Sequence, residues 1–409
     1  MSRRGALALL GAIACLAGCG GREPSGRIHG ETLTVYYSGP THGPSSAGSL
    51  AALGGARMAL DAIHGRIGKY RVRVRALDDA APQKGGWDPN QTTNDARIAI
   101  QDPTAVGYIG DFNSGAAAIS IPLLNRQGIA QISPAAGSVG LTSTGPGASP
   151  GEPQKYYPTG IRTFARTVPT DATQALVQVR LAEANGCRRM FVLHDGEVDG
   201  EDGALSFVLT AQSAGLRVVG VQAFEPLATD FRSLALSVAQ TGADCVLLSA
   251  ISERGAARLT DRLAGAMPHA PIIASSGLAD SAYTDPGAGG VAARVSRRVL
   301  ITSPGVDARG YPPSGQAFLA AYTRRFGPPE PSAIFGYEAM SLMLSAVSTA
   351  TDHGRRTAVR SNIVKAIFST RGRRGVVGTY SIDRNGDTTL RRYGIWRIRG
   401  GRLAFVRLG

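Results

Sequence analysis

The sequence predicts an α/β protein of two doubly wound, Rossmann-like lobes. Three observations carry that expectation. Strand-like and helix-like hydrophobic periods alternate from Glu31 onward with short connections, the pattern of a parallel sheet covered on both faces. The rhythm breaks over the Gly/Pro/Ser-rich stretch 143–160 and then restarts for a second unit of similar size. At 409 residues the chain is also long enough for two separate cores.

The first unit opens with an apolar strand over Leu33–Tyr37. Leu50, Leu53, Ala56, Leu60 and Ile63 then share one helical face. Arg71 to Leu77 alternates strictly, as a half-exposed strand does. A helix over Thr92–Gln101 leads to a buried strand, Val106–Ile109, a second helix to about Gln127, and a short strand, Ile129–Ile132. The second unit reads as helix Asp171–Ala184, strand Met190–His194, helix Ala204–Gln212 and strand Leu216–Val221. Helix Phe231–Gln240, strand Cys245–Leu248, helix Glu253–Leu263 and strand Ile272–Ala274 complete it. Strand Val299–Thr302 and helices over 315–326, 332–350 and 357–368 follow, and a hairpin turning at Asp383–Asp387 closes the chain.

One stretch has the marks of a binding site. Gly110-Asp111-Phe112-Asn113-Ser114-Gly115-Ala116 joins the carboxyl end of a strand to the start of a helix, the place where open α/β sheets take ligands. The amides of Ser114, Gly115 and Ala116 would lack intrahelical partners and would face any small anion along the helix dipole. Ser114 brings a hydroxyl, and Gly115 and Ala116 let a ligand approach the backbone. The stretch therefore reads as one half of a carboxylate cradle, against the plainer alternative of an ordinary capped helix.

Residues 1–18 have the form of an export signal, with Arg3 and Arg4 ahead of a short apolar run from Gly5 to Ala17. Leu16-Ala17-Gly18-Cys19 resembles the bacterial lipobox, which implies cleavage before Cys19, a lipid on that cysteine and a tether over 19–30. The implied location is the outer face of the cytoplasmic membrane. Of the remaining cysteines, Cys15 leaves with the signal, and Cys187 and Cys245 enter an oxidising compartment beside adjacent strands, either as a disulfide or as two buried thiols.

Several functions are disfavoured. The formal net charge is +14, yet the arginines are scattered without interleaved aromatics, and an exported chain does not meet the genome, so nucleic acid is not the expected partner. Two cysteines without clustered histidines make no zinc site, and no metal or cofactor is called for. There is no Gly-x-Ser-x-Gly elbow and no His-Glu-x-x-His; His194 beside Asp195 is the one tempting dyad. Gly145–Gly151 opens no helix and is no nucleotide loop. Asp383-x-Asn385-Gly386-Asp387 lacks a calcium loop's final bidentate Glu and reads as a tight turn.

Ser38-Gly39-Pro40, Leu77-Asp78-Asp79, Gly110–Gly115, Ile132-Ser133-Pro134-Ala135-Ala136 and Arg166–Asp171 occur in that order. Val192-Leu193-His194-Asp195, Thr229-Asp230-Phe231, Thr302–Gly305 and Tyr380–Asp387 follow. Over about 31–398 the ordered set resembles the type I periplasmic binding proteins of branched-chain amino acid transporters. The resemblance implies a clamshell whose lobes are joined by a three-stranded hinge, near 164–168, 299–302 and 377–380. Lobe 1 would be 31–164 with 299–377, and lobe 2 would be 165–298 with 378–409.

The same resemblance implies a monomeric, non-enzymatic protein that captures a small amphipathic ligand, a hydrophobic amino acid or a relative of one, for an ABC permease. The alternative is a ligand-sensing or structural lipoprotein that kept the fold. The family's carboxylate clamp falls on Asn113, Ser114 and Gly115, and its ammonium-binding carbonyl on Ala135. The acid that completes the ammonium site falls on Ser276, which carries no charge. A family Thr falls on Gly137, with Ser138 adjacent, and two family Tyr positions fall near Asp199 and Ile251. Asp199, or its neighbours Asp195 and Glu197, could then supply the missing charge, against the plainer alternative that these acids form a solvated loop.

Overall fold

The computed structural model describes residues 26–43, 45–81, 86–251 and 253–409; the export segment and Cys19 lie outside them. The first lobe comprises β1 (Thr32–Ser38), α1 (Ser46–Asp61), β2 (Arg66–Ile67), β3 (Tyr70–Leu77) and α2 (Pro89–Gln101). It continues through β4 (Ala105–Ile109), α3 (Ser114–Arg126), β5 (Ala130–Ser133) and β6 (Phe164–Arg166). These strands form a six-stranded sheet in the order β2-β3-β1-β4-β5-β6, parallel except for the short β2.

Sequence explains the placing of the strands. β4 is apolar throughout and buried throughout, as a central parallel strand must be. β3 alternates, putting Arg71, Arg73 and Arg75 in solvent while Tyr70 and Val72 face the core.

The second lobe runs through α4 (Asp171–Ala184), β7 (Arg189–His194), α5 (Val198–Ala214), β8 (Arg217–Ala223), α6 (Arg232–Gln240) and β9 (Cys245–Ser249). It continues through α7 (Glu253–Ala266), β10 (Ile272–Ala274), α8 (Ser281–Thr284) and β11 (Val299–Ser303). The chain then adds α9 (Pro313–Phe326), α10 (Ala333–Ala350), α11 (Arg360–Phe368), β12 (Arg373–Gly375) and β13 (Gly378–Tyr380), and ends with β14 (Gly394–Arg399) and β15 (Arg402–Leu408). The second sheet has seven strands, β15-β14-β11-β10-β9-β7-β8, with the terminal hairpin antiparallel at its edge.

Helices α9 to α11 pack with the first lobe, sharing one core with β1, β4 and β5. α10 is long and apolar enough to cross a membrane, yet 67% of it is buried inside the protein, as a core helix is. It lies close against α1 because Gly336 and Gly55 have no side chain: a Cβ on Gly336 would run into the Ala52 carbonyl, and one on Gly55 into the Ala333 carbonyl.

The second and third passages between lobes fall later along the chain than the resemblance implied. β11 is a full member of the second sheet, pairing with β10 and β14, so the second passage comes after Ser303. Val377, Tyr380 and Ile382 belong to the first core, and Tyr393 to the second, which puts the third passage between them. An apolar strand carries no mark of the sheet it will join. The closing hairpin also differs: its turn is Gly400-Gly401, whereas Asp383–Asp387 is a loop closed by a single Ile382–Thr388 bridge. That loop anchors to the first lobe, with Asp387 accepting from Arg166 Nε at 2.7 Å. Cys187 and Cys245 form a disulfide across the starts of neighbouring β7 and β9.

Candidate functional site

The carboxyl ends of β4 and β5 and the start of α3 face the starts of α4 and α5 and the carboxyl ends of β9 and β10. Between them lies a cleft of roughly 890 Å3, counting the solvent at its mouth. Phe112, Pro134, Val168, Ile251, Pro304 and Phe335 supply apolar wall, as small-molecule sites commonly have. Asn113, Ala135, Asp199, Ile251 and Ser276 all line this cleft. Ser114, Gly115 and Ser138 do not.

The start of α3 is already occupied. Asn113 is the N-cap residue but makes no side-chain cap bond. The Ser114 amide instead donates to Asp199 Oδ2 at 2.9 Å, a bond from the first lobe to the second. Ser114 is fully buried, and its hydroxyl, beside the same carboxyl, accepts the Ser138 amide at 3.2 Å. It is therefore not the free ligand-facing donor that the sequence suggested. Gly115 is small for another reason: a Cβ there would meet the Trp87 indole, whose Nε1 donates to Glu197 at 3.0 Å.

Asp199 reaches α3 because α5 begins at Val198, well before Ala204. Its first turns, rich in glycine and acid, read as loop in the sequence. Gly200 and Gly203 are there for close packing, since a Cβ on either would strike Asp195 or Ser249 at the ends of β7 and β9. Asp199 and Glu201 in the first turn suit the helix dipole. Burial, then the charge of Asp195, raises the Asp199 carboxyl to about 6, even though Ser114 and Gly115 hydrogen bonds pull it down.

Neither other acid offered for the missing charge stands in the cleft lining. Asp195 accepts the Ile251 amide at 2.8 Å and positions that wall residue. Glu197 takes the Trp87 indole. His194 Nδ1 accepts the Gly196 amide at 3.3 Å, while the Asp195 carboxyl accepts the Glu197 and Ile251 amides. The Ser276 amide is held by Gln174 Oε1 at 3.0 Å.

The acid that sequence reasoning passed over is Asp171, the first residue of α4. It lines the cleft, is 6% exposed, and has its carboxyl against Gly137, where any Cβ would collide with it. Burial and the nearby Asp199 charge push its carboxyl up to about 8, against a smaller downward pull from Arg166. Arg166 is itself fully buried and committed to Asp387 and to the Ala136 and Ser138 carbonyls. The signal was in the sequence: Asp171 stands where a helix starts, and Gly137 lacks the side chain the family pattern carries. Asp280 also lines the cleft, capping α8 through the Ala282 amide, and burial and the neighbouring Glu330 raise its carboxyl. Among the described residues no Arg, Lys or His lines the cleft.

A family model for periplasmic binding proteins matches residues 32–402. No curated protein sequence matches significantly. Among solved structures, a leucine-binding protein of Thermotoga maritima is similar over 92% of this chain and 98% of its own, with a TM-score of 0.76 at 19% identity. A branched-chain amino acid transporter substrate-binding protein of Streptococcus pneumoniae, in complex with isoleucine, has a TM-score of 0.75 at 17% identity, over 92% and 99% of the two chains. A solute-binding protein of an ABC transporter from Rhodopseudomonas palustris, in complex with p-hydroxybenzoic acid, also has a TM-score of 0.75, at 16% identity, over 92% and 97%. At these identities the likeness is one of fold.

Proposed function

The chain belongs to the family of periplasmic binding proteins, and from that premise we propose that it is a lipid-anchored solute-binding protein outside the cytoplasm. It closes two lobes on a small amphipathic ligand and presents it to an ABC permease. The observation that carries this reading is the cleft itself. Its lining comes from both lobes, and the Ser114–Asp199 bond crosses between them, so the site is complete only when the lobes are shut. A ligand that prefers the shut form draws the population toward it, and shape is what a permease can read. The apolar wall suits amphipathic solutes such as the isoleucine and p-hydroxybenzoic acid held by two of the similar structures.

The testing experiment is a thermal-shift screen of the mature chain, made with Cys19→Ser to omit the lipid. Amino acids, their amides, small amines and small carboxylates make up the panel. A ligand at about 100 times its dissociation constant should stabilise by about 2.7 kcal/mol. Solute capture is abandoned if nothing in the panel shifts the transition.

A further inference from the structure

The cleft lining carries acidic side chains and no basic one among the described residues. Three carboxyls line it, from Asp171, Asp199 and Asp280. Asp199 and Asp280 are engaged by backbone amides, at Ser114 and Ala282. Asp171, 6% exposed, lines the cleft with its carboxyl packed against Gly137. Across the cleft Asn113, 8% exposed, is also a lining residue, and its buried Oδ1 has no hydrogen-bond partner. Buried acceptors of this kind need a donor, and a carboxylate needs a cation.

A ligand carboxylate would meet the opposite situation. The helix start that would hold it already holds the Asp199 carboxylate, and entering the cleft would bring another negative charge beside Asp171 and Asp199 with no cation to offset it. Desolvating a charge without a partner costs several kcal/mol in real proteins. Gly137 leaves the space that the Asp171 carboxyl fills, since a Cβ there would collide with it.

Resting on the solute-capture reading above, we propose that the ligand is a small organic amine that carries an apolar tail and no carboxylate. Its ammonium donates to Asp171 and to Asn113 Oδ1, its tail lies along Phe112, Ile251 and Phe335, and Asp199 fills the anion position from within the protein. An ammonium beside Asp171 offsets the Asp199 charge, which after burial is what raises the Asp171 carboxyl.

The test is calorimetry on the mature Cys19→Ser chain with four compounds sharing one isobutyl tail: 3-methylbutylamine, leucinamide, leucine and 4-methylpentanoate. The two amines without a carboxylate are expected to bind at least about 10-fold tighter than leucine, with no heat from 4-methylpentanoate. Asp171→Asn should weaken the amines about 10-fold or more, and Asp171→Glu, which keeps the charge, should retain the order of affinities. Asp199→Ser, by freeing the Ser114 amide, should raise leucine affinity about 10-fold. Leucine or 4-methylpentanoate binding as tightly as the amines overturns the proposal. So does a broader screen whose best ligand carries a carboxylate, and in that event solute capture stands. A screen in which nothing stabilises the chain removes both readings.

Discussion

The carboxylate of Asp199, in the first turn of α5, accepts the backbone N–H of Ser114 at the start of α3, 2.9 Å away across the interlobe cleft. A helix start that presents unsatisfied amides is an anion site, and here the anion is a side chain of the opposite lobe. Asp199 thus both lines the cleft and makes a contact from one lobe to the other.

Asp199→Asn should therefore loosen the shut form. A hydrogen bond to a charged group is worth about 1.5–3 kcal/mol. The expected result is a larger radius of gyration for the ligand-free chain in small-angle scattering, with the melting temperature of each lobe little changed. An unaltered radius would mean the lobes are held by other contacts, such as Trp87 on Glu197.

A second acidic group sits beneath the first lobe. Asp79 is 0% exposed with both carboxyl oxygens lacking a partner, and burial together with the charges of Asp111 and Asp95 holds its carboxyl well above the usual range. Burial raises Asp95 to about 7. The folded chain thus binds more protons here than the unfolded chain. The stability these groups contribute is fully present below about pH 4 and is lost as pH rises toward 7. Asp79→Asn should stabilise on the order of 1–3 kcal/mol at pH 8 and hardly at all at pH 4.5, read from urea unfolding at the two pH values. Equal effects at both would show that the carboxyl is not protonated in the fold.

Glu338, inside α10, accepts from Arg373 Nε at 2.7 Å, from the Val376 amide at 2.8 Å and from the Tyr380 hydroxyl at 2.8 Å. It is fully buried, and it ties β12 and β13 to the first core. Glu338→Ala should cost about 3–5 kcal/mol by stranding Arg373, measured as a lower urea midpoint. A double substitution with Arg373→Met should recover part of the loss, since no buried charge is then left alone.

The Cys187–Cys245 disulfide closes a separation of 58 residues within the second lobe. Replacing both by alanine should lower stability by about 2–4 kcal/mol, with reductant producing the same fall in the unaltered chain and none in the variant.

Hydrophobic period and turn chemistry determined most of the architecture from sequence alone. Strictly alternating β3, fully apolar β4 and the capped start of α2, where Asp88 accepts the Asn90 and Gln91 amides, are local features set by local residues. The glycine-containing loop before α3 was legible as a place of function for the same reason. Tertiary structure decided what fills it. α5 begins at Val198 because Gly200 and Gly203 pack on strand ends distant in sequence, and only then does Asp199 reach Ser114. The Asp171 carboxyl fits into a space left at Gly137, on another segment of the chain. β11 joined the second sheet through pairing partners that no run of apolar residues specifies. Local propensity acts over a few residues, whereas burial, close approach and the charge of a neighbour depend on residues brought together by folding.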